Sequence, residues 1–310
     1  MATGATLQIP GRRAAGGLTA GKVWRAFRRY PIIPVFVLVF VLILPAVLAE
    51  IKIGDRVLFS IAPYDPLEGQ LSARLTPPFW IQGGTPDHWI GTDKQGRDIL
   101  TRIIFGARIS LMVSLSAICI GGSIGTTLGL SAAYFGGWVE GLIMRIVDTF
   151  LSMPLILLAL VVVAVFGPSF FTVIGIVSSL IWVGYTRQTR GEALTIRQLD
   201  FVARARVAGA SPVHIMFRHF LPNVINTIIV LATLEMGSVI LLESTLSFLG
   251  AGIPRPFPSW GVMVADGRDH IIAAWWIAFF PGIAIMLVVL SANLMGDWLR
   301  DQLDPKLRQV

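Results

Sequence analysis

Long apolar runs separated by polar intervals organise this chain. Six runs approach the roughly 20 residues needed to cross a bilayer: 31–49, 109–134, 149–166, 171–186, 223–245 and 273–295. Gly167-Pro168 divides the third from the fourth, a turn signal inside one long apolar stretch. The interval 50–108 carries Pro63, Pro66, Pro77, Pro78, Pro86 and the pair Gly83-Gly84, and predicts an ordered loop with little helix. Its last part, Arg97 to Arg108, sets Ile99, Leu100, Ile103 and Ile104 on one face with Arg97, Asp98 and Arg102 around the rest. That pattern predicts an amphipathic helix lying on the membrane and leading into the second span. Residues 250–272, with Pro254, Pro256, Pro258 and Trp260, predict an irregular loop, and Trp275-Trp276 mark the return to the bilayer.

The polar interval 187–222 stands apart. It holds six of the chain's 25 Lys+Arg residues, with Glu192, Asp200, His214 and His219. Phe201, Ala205 and Ala208, at i, i+4 and i+7, share one helical face. Gly209 stops that helix as a glycine just past the C-cap does. Ser211 then serves as an N-cap with Pro212 at the first helical position. The second helix places Val213, Met216, Phe217 and Phe220 on one stripe and ends before Pro222. The small residues Gly209, Ala210 and Ser211 at the turn let another backbone come close. Two readings follow from the pattern: an interfacial hairpin that anchors the loop, or a surface for a partner.

Composition agrees with the spans. The chain has 310 residues, 55% hydrophobic and 14% charged, with mean hydropathy +0.74. With six spans both termini share a side, and sixteen of the 25 Lys+Arg residues fall there. The bias of basic residues toward the cytoplasm then predicts a cytoplasmic tail at 1–30, a cytoplasmic loop at 187–222 and a cytoplasmic tail at 297–310. Span one is 31–49, the segment 50–108 is exoplasmic, and 109–296 holds the remaining five spans. The first span follows a basic flank and ends in Val47-Leu48-Ala49, but its length favours an uncleaved signal anchor over a cleaved leader. The net charge of +7 suits anionic lipid headgroups. Basic residues scattered over separate loops do not suit nucleic acid. Cys119, the only cysteine, sits mid-span and predicts a buried, inert thiol. No internal repeat supports a two-fold transporter within one chain.

The chemistry is sparse. The closest approach to a phosphate cradle is Gly91-x4-Gly96, where Arg97-Asp98 replaces the Lys and hydroxyl residue. A pump built on this chain therefore needs an energy-supplying partner that binds from the cytoplasm. His88, His214, His219 and His270 fall on different loops with no HExxH, which argues against a membrane enzyme. Asp148, Glu235 and Glu243 lie in or near spans, where a carboxylate costs about 2.5–3.5 kcal/mol at mid-bilayer. Glu235 and Glu243 are roughly 80° apart on one helix. They either line a polar pathway or hydrogen-bond between helices. Asp148 is placed to pair with Arg145. An ion-coupled secondary transporter, with Glu235 and Glu243 as a proton relay, is the competing class.

Several segments together resemble a known family. Gly209 and Phe220-Leu221-Pro222 are similar to the glycine and the end of the EAA signature of ABC-importer permeases, while Ala203-Arg204-Ala205 stands where EAA would be. His88-Trp89-Ile90-Gly91-Thr92-Asp93-Lys94-Gln95-Gly96-Arg97-Asp98 resembles the HWxGTDxxGRD segment of dipeptide/oligopeptide/nickel importer permeases. Leu246-Ser247-Phe248-Leu249-Gly250 and Gly296-Asp297-Trp298-Leu299-Arg300-Asp301 continue the likeness, which is to the C-type subunit. The resemblance implies an all-α membrane protein of the ABC type I importer permease fold, with six transmembrane helices, in a bacterial plasma membrane. It implies a pore shared with a B-type permease and an extracytoplasmic binding protein that delivers cargo, with short peptides as the expected class. It also implies two cytoplasmic ATPase subunits, separate or fused, that carry ATP and Mg; this chain holds no cofactor or metal. They would dock on Ala205, Arg206, Gly209, Ala210, Ser211, Pro212, Val213, His219 and Pro222.

Overall fold

The computed structural model describes residues 31–53 and 56–303, and side chains outside 52–58. The expected tail at 1–30 and the chain end at 304–310 lie outside the described residues. The elements are helix α1 (Ile32–Leu48), strands β1 (Ile51–Ile53) and β2 (Arg56–Phe59), then helices α2 (Ile99–Phe135), α3 (Gly137–Ser152), α4 (Leu155–Phe166) and α5 (Phe170–Ile196). The short α6 (Asp200–Val207) precedes α7 (Pro212–Phe248), α8 (Trp260–Arg268) and α9 (Trp276–Leu303). Four helices, α2, α5, α7 and α9, are long and apolar enough to cross a membrane; α3 and α4, bent by 90°, make a fifth if taken as one span. Helix α1 is apolar but shorter, and a π-turn at Leu38–Ile43 interrupts it.

Helices α2 and α5 form the most extensive pair. Gly121, Gly125 and Gly129 recur every fourth residue along one face of α2. A Cβ on Gly121 would sit 2.6 Å from the Ser178 carbonyl, and one on Gly129 would sit 2.7 Å from the Thr186 carbonyl. The backbones therefore approach more closely than any side chain allows, the geometry that small residues give to helices in lipid. The Thr186 hydroxyl sits 2.9 Å from the Trp182 carbonyl and 3.1 Å from the Gly125 carbonyl, so it donates across or along the pair.

At one end, the segment before α2 packs on α8 and the start of α9. Asp93 accepts from Arg97 Nε at 2.8 Å and from Arg102. Asp266 of α8 meets Lys94 at 3.0 Å and Arg255 at 2.8 Å, and lies within 4.0 Å of Arg97 and Arg102. Burial pushes the Asp93 carboxyl up, but the Arg102 charge and the Arg97 hydrogen bonds win and hold it below the usual carboxylate value. Trp260 Nε1 donates to the Ile103 carbonyl at 2.9 Å, and Trp276 Nε1 to the Thr92 carbonyl at 3.2 Å. Arg108 donates to the carbonyls of Ala46 (2.8 Å) and Glu50 (2.7 Å), capping the end of α1. At the other end, Arg190 of α5 donates to Glu140 of α3 at 2.7 Å, and Arg197 to the Ala133 carbonyl at 3.0 Å.

Several expectations change. No separate amphipathic helix lies at Arg97–Arg108: α2 starts at its Asp98 N-cap and runs unbroken to Phe135, so the 108/109 boundary falls inside one helix. Arg97 and Arg102 are buried rather than facing water, because two carboxylates meet them. The 50–108 segment also contains an antiparallel strand pair, and 250–272 contains α8 where an irregular loop was expected. Helix α5 extends to Ile196, which takes the first ten residues of the 187–222 interval out of the loop. Helix α9 runs past residue 296 to Leu303. Cys119 is exposed, not buried.

Candidate partner-docking site and span carboxylates

The turn between α6 and α7 is closed at both sides by local hydrogen bonds. The Ala210 N–H reaches the Ala205 carbonyl and the Gly209 N–H reaches the Arg206 carbonyl, each at 3.0 Å. That pair of bonds is the Schellman motif, and it needs the left-handed residue that Gly209 supplies at φ +81°. Ser211 Oγ then accepts from the His214 N–H at 3.3 Å, with Pro212 in the first turn. The sequence signals of stop, cap and restart thus all fall where expected.

The helices around the turn differ from expectation. The second helix does not end before Pro222. A π-turn at Met216–Phe220 absorbs the hydrogen bond that proline cannot donate, and α7 continues past Pro222 to Phe248. The expected stripe is also rotated. Ile215, Met216 and Phe220 are buried with Val202 and Val224, packed on Leu130 and Ala133 of α2 and on Ala193 and Ile196 of α5. Val213 and Phe217, expected on one stripe with Met216 and Phe220, are exposed while those two are buried, and Ala208 is exposed as well; an outward Val213 agrees with its place among the expected docking residues. Ile215 was missed on the buried side. Phe201 and Ala205 are half-buried, as a shared inner face requires.

The surface left outward is small and mixed. Val207 is 91% and Val213 61% exposed, flanking Gly209, around which a Cβ would meet nothing within 4 Å. Ser211, Pro212 and Pro222 are exposed, and Ala210 is half-buried. Arg206 stacks over the Tyr134 ring at 5.4 Å. His219 is half-buried, with its ring 5.8 Å from Phe201 and 5.7 Å from His214. Among the described residues no group of three His, Cys, Asp or Glu side chains is placed to hold a metal. Val207 was not singled out from the sequence, and Phe217 was placed on the helix stripe but not among the docking residues. The available signal was an excess: Val207, Val213 and Phe217 are more apolar residues than one face of so short a hairpin can bury.

The span carboxylates separate. Glu243 is buried and accepts from Ser247 Oγ at 2.6 Å. Glu235 is half-buried beside Gly184 of α5, where a Cβ would stand 3.7 Å from its Oε1. Asp148 and Arg145 are both exposed on α3, and no ion pair joins them among the described residues.

A bundle of apolar helices ending in a hydrogen-bonded, exposed turn, with Glu235 and Glu243 inside, has the build of a membrane transport subunit. Residues 125–309 match the family described as binding-protein-dependent transport system inner membrane component, and the chain belongs to that family. It is 44% identical to the di/tripeptide transport system permease protein DppC of Pseudomonas aeruginosa over 81% of this chain and 82% of that one. It is 44% identical to the dipeptide transport system permease protein DppC of Alkalihalophilus pseudofirmus, over 80% and 82%. The glutathione transport system permease protein GsiD of Pectobacterium atrosepticum is 43% identical over 73% and 75%. The chain is a multi-pass protein of the bacterial inner membrane and an ABC-importer permease of the peptide-transport kind.

Proposed function

We propose that this chain is one of two permease subunits of an ATP-driven, binding-protein-dependent importer of short peptides. Helix α1 and the bent pair α3–α4 complete six spans, with the termini and the α6–α7 turn in the cytoplasm and the α8 end outside. The asymmetry of Lys and Arg supports that orientation. A B-type permease shares the pore. ATPase subunits, which carry ATP and Mg, dock on the turn, and a binding protein meets the α8 end. This chain has no ATPase site of its own.

One observation carries the reading. The turn around Gly209 is rigid, exposed and apolar at Val207 and Val213, yet its underside (Val202, Ile215, Phe220) is packed on α2 and α5. A force applied at the turn passes to two long helices without bending the lever. That is the physical requirement for a partner to bias a two-state bundle. Glu235, half-buried in the span, is a pathway candidate; Glu243, bonded to Ser247 one turn further along the same helix, is a structural polar contact. The names of the relatives support small peptides as cargo. The test is uptake by the reconstituted complex. Uptake that persists with a protonophore and stops without ATP supports the reading. Uptake that follows the proton gradient and ignores ATP overturns it in favour of a carboxylate relay.

The docking surface has its own test. Asn tolerates the left-handed backbone and should keep the turn in Gly209→Asn, while adding a side chain where the partner approaches. Membrane insertion is expected to stay intact, with ATPase co-purification and uptake both reduced several-fold. Val213→Asp, which removes nothing from the buried underside, is expected to do the same. Unchanged co-purification in both variants would place docking elsewhere.

A further inference from the structure

The end of the molecule opposite the docking turn carries an excess of positive charge that the transport reading does not use. Among the described residues, Lys94, Arg97, Arg102 and Arg255 converge there on two carboxylates, Asp93 and Asp266. Two positive charges are left over. Arg97 and Arg102 are buried, so their share of the field is fixed and poorly screened by salt. Beside this cluster lies a cavity of about 300 Å³, lined by Lys94, Arg255, Arg268, Phe248, Gly250 and Asp269. The Arg255 and Arg268 side chains are each 63% exposed.

Their donors are only partly used. Arg255 directs Nε and Nη2 at Asp266, at 3.3 and 2.8 Å. Arg268 directs Nε at Asp269 at 3.3 Å and stacks over the Phe248 ring at 5.6 Å. An arginine has five N–H donors, so each keeps N–H groups free in a fixed plane. Asp269 offsets Arg268 alone. The excess from the buried cluster remains, and a planar guanidinium held by a carboxylate or an aromatic face is pre-set for bidentate contact with a planar oxyanion. The cavity sits at the end of α7, the helix that carries Glu235 and Glu243, and Ser247 in its wall donates to Glu243.

We propose that this cavity is a carboxylate-binding site at the outer mouth of the pathway, in which Arg255, Arg268 and Lys94 receive the carboxylate of a peptide cargo. The proposal rests on the importer reading above and on the α8 end facing outward. A peptide brings a carboxylate at its C-terminus whatever its side chains, so such a site accepts cargo without regard to sequence. It leaves the ammonium end free to move toward the span carboxylates.

The test uses the complete complex in lipid nanodiscs without binding protein. Saturation-transfer NMR compares the dipeptide Ala-Phe with its C-terminal amide and with inorganic phosphate as competitor. The wild type is expected to bind the free acid, with roughly tenfold weaker signal for the amide. The same loss is expected for the free acid in Arg268→Gln and in Arg255→Gln/Arg268→Gln. Arg268→Gln leaves the buried cluster untouched, so its melting temperature serves as the folding control. Equal binding of acid and amide, or full binding by both variants, overturns the site. Displacement of the peptide by equimolar phosphate overturns the carboxylate assignment. Uptake in the presence of ATP and the binding protein separates the two levels. If the wild type imports no peptide, the importer reading fails. If it imports peptide and the variants keep its KM and rate, only the carboxylate site fails.

Discussion

Replacing Asp93 with alanine is expected to destabilise the α8 end of the bundle by about 3–5 kcal/mol, because it leaves two buried guanidinium groups without their nearest counter-charge. Asp93 is nearly fully buried, and it accepts from the Gln95 and Arg97 backbone N–H groups as well as from both arginines. Asp266 cannot substitute, since Lys94 and Arg255 already hold it and Arg97 and Arg102 reach it only at 3.9 and 4.0 Å. The expected result is a lowered melting temperature of the purified complex and early proteolysis between residues 60 and 98. Asp269→Ala is the control: its pair with Arg268 is exposed, and such pairs contribute little. The pH dependence has a definite sign. The Asp93 carboxyl is held below its unfolded value, which is about 3.9 for an aspartate. Its stabilisation is therefore complete above about pH 4 and is lost as pH falls through the lower, folded value. Asp93→Ala should remove that acid-side loss along with the stability. A variant that melts as the wild type does at pH 7 would show that the cluster is not a clamp.

What could be read from the sequence was local or periodic. The apolar spans were legible because lipid demands long uninterrupted runs. The stop at Gly209 and the restart at Ser211-Pro212 were legible because each depends on its own residue's backbone preference and on neighbours within four positions. The misreadings share a different cause. Arg97 and Arg102 look like the polar face of a surface helix until Asp93 is seen turned back onto them, with Asp266, far along the chain, within 4.0 Å of both. Pro222 looks like a helix end until the π-turn before it takes up the missing donor. Val213 and Phe217 look like one stripe with Met216 and Phe220 because apolar spacing groups residues without fixing which of them face inward; that is set by where α2 and α5 pass beneath. Cys119 has the setting of a core thiol, and only the position of its helix in the bundle turns it outward. The proposed docking surface was therefore legible in its turn and at Val213, and not at Val207 or Phe217. The glycines of α2 are the opposite case, since their spacing was present in the sequence and its meaning appears once α5 is seen against them.

Gly125→Leu is expected to abolish the folded bundle, and Gly125→Ala to weaken it by about 1–3 kcal/mol. The reason is the contact with α5. A Cβ at Gly125 would meet the Trp182 carbonyl and would stand 2.6 Å from the Tyr185 Cβ. Neither is the far end of a flexible side chain, so the helices themselves would have to separate. Separation at Gly125 would also lift Gly121 and Gly129 off the Ser178 and Thr186 carbonyls, because all three lie on one face of a single rigid rod. Thr186 would lose its reach to the Gly125 carbonyl. The expected consequence extends to transport, since α2 joins the Asp93 cluster at one end to the floor of the α6–α7 turn, the proposed docking site, at the other. Gly191, on the exposed face of α5, gives the opposite expectation: a Cβ there meets nothing within 4 Å. Gly191→Ala should therefore stabilise by about 0.5–1 kcal/mol, through helix propensity alone. Both alanine variants remove one glycine from one helix of the same pair. Opposite shifts in melting temperature would locate the effect in the close approach of α2 and α5. Equal shifts would show that the pair tolerates a Cβ and that the close approach of the two backbones is not what holds them together.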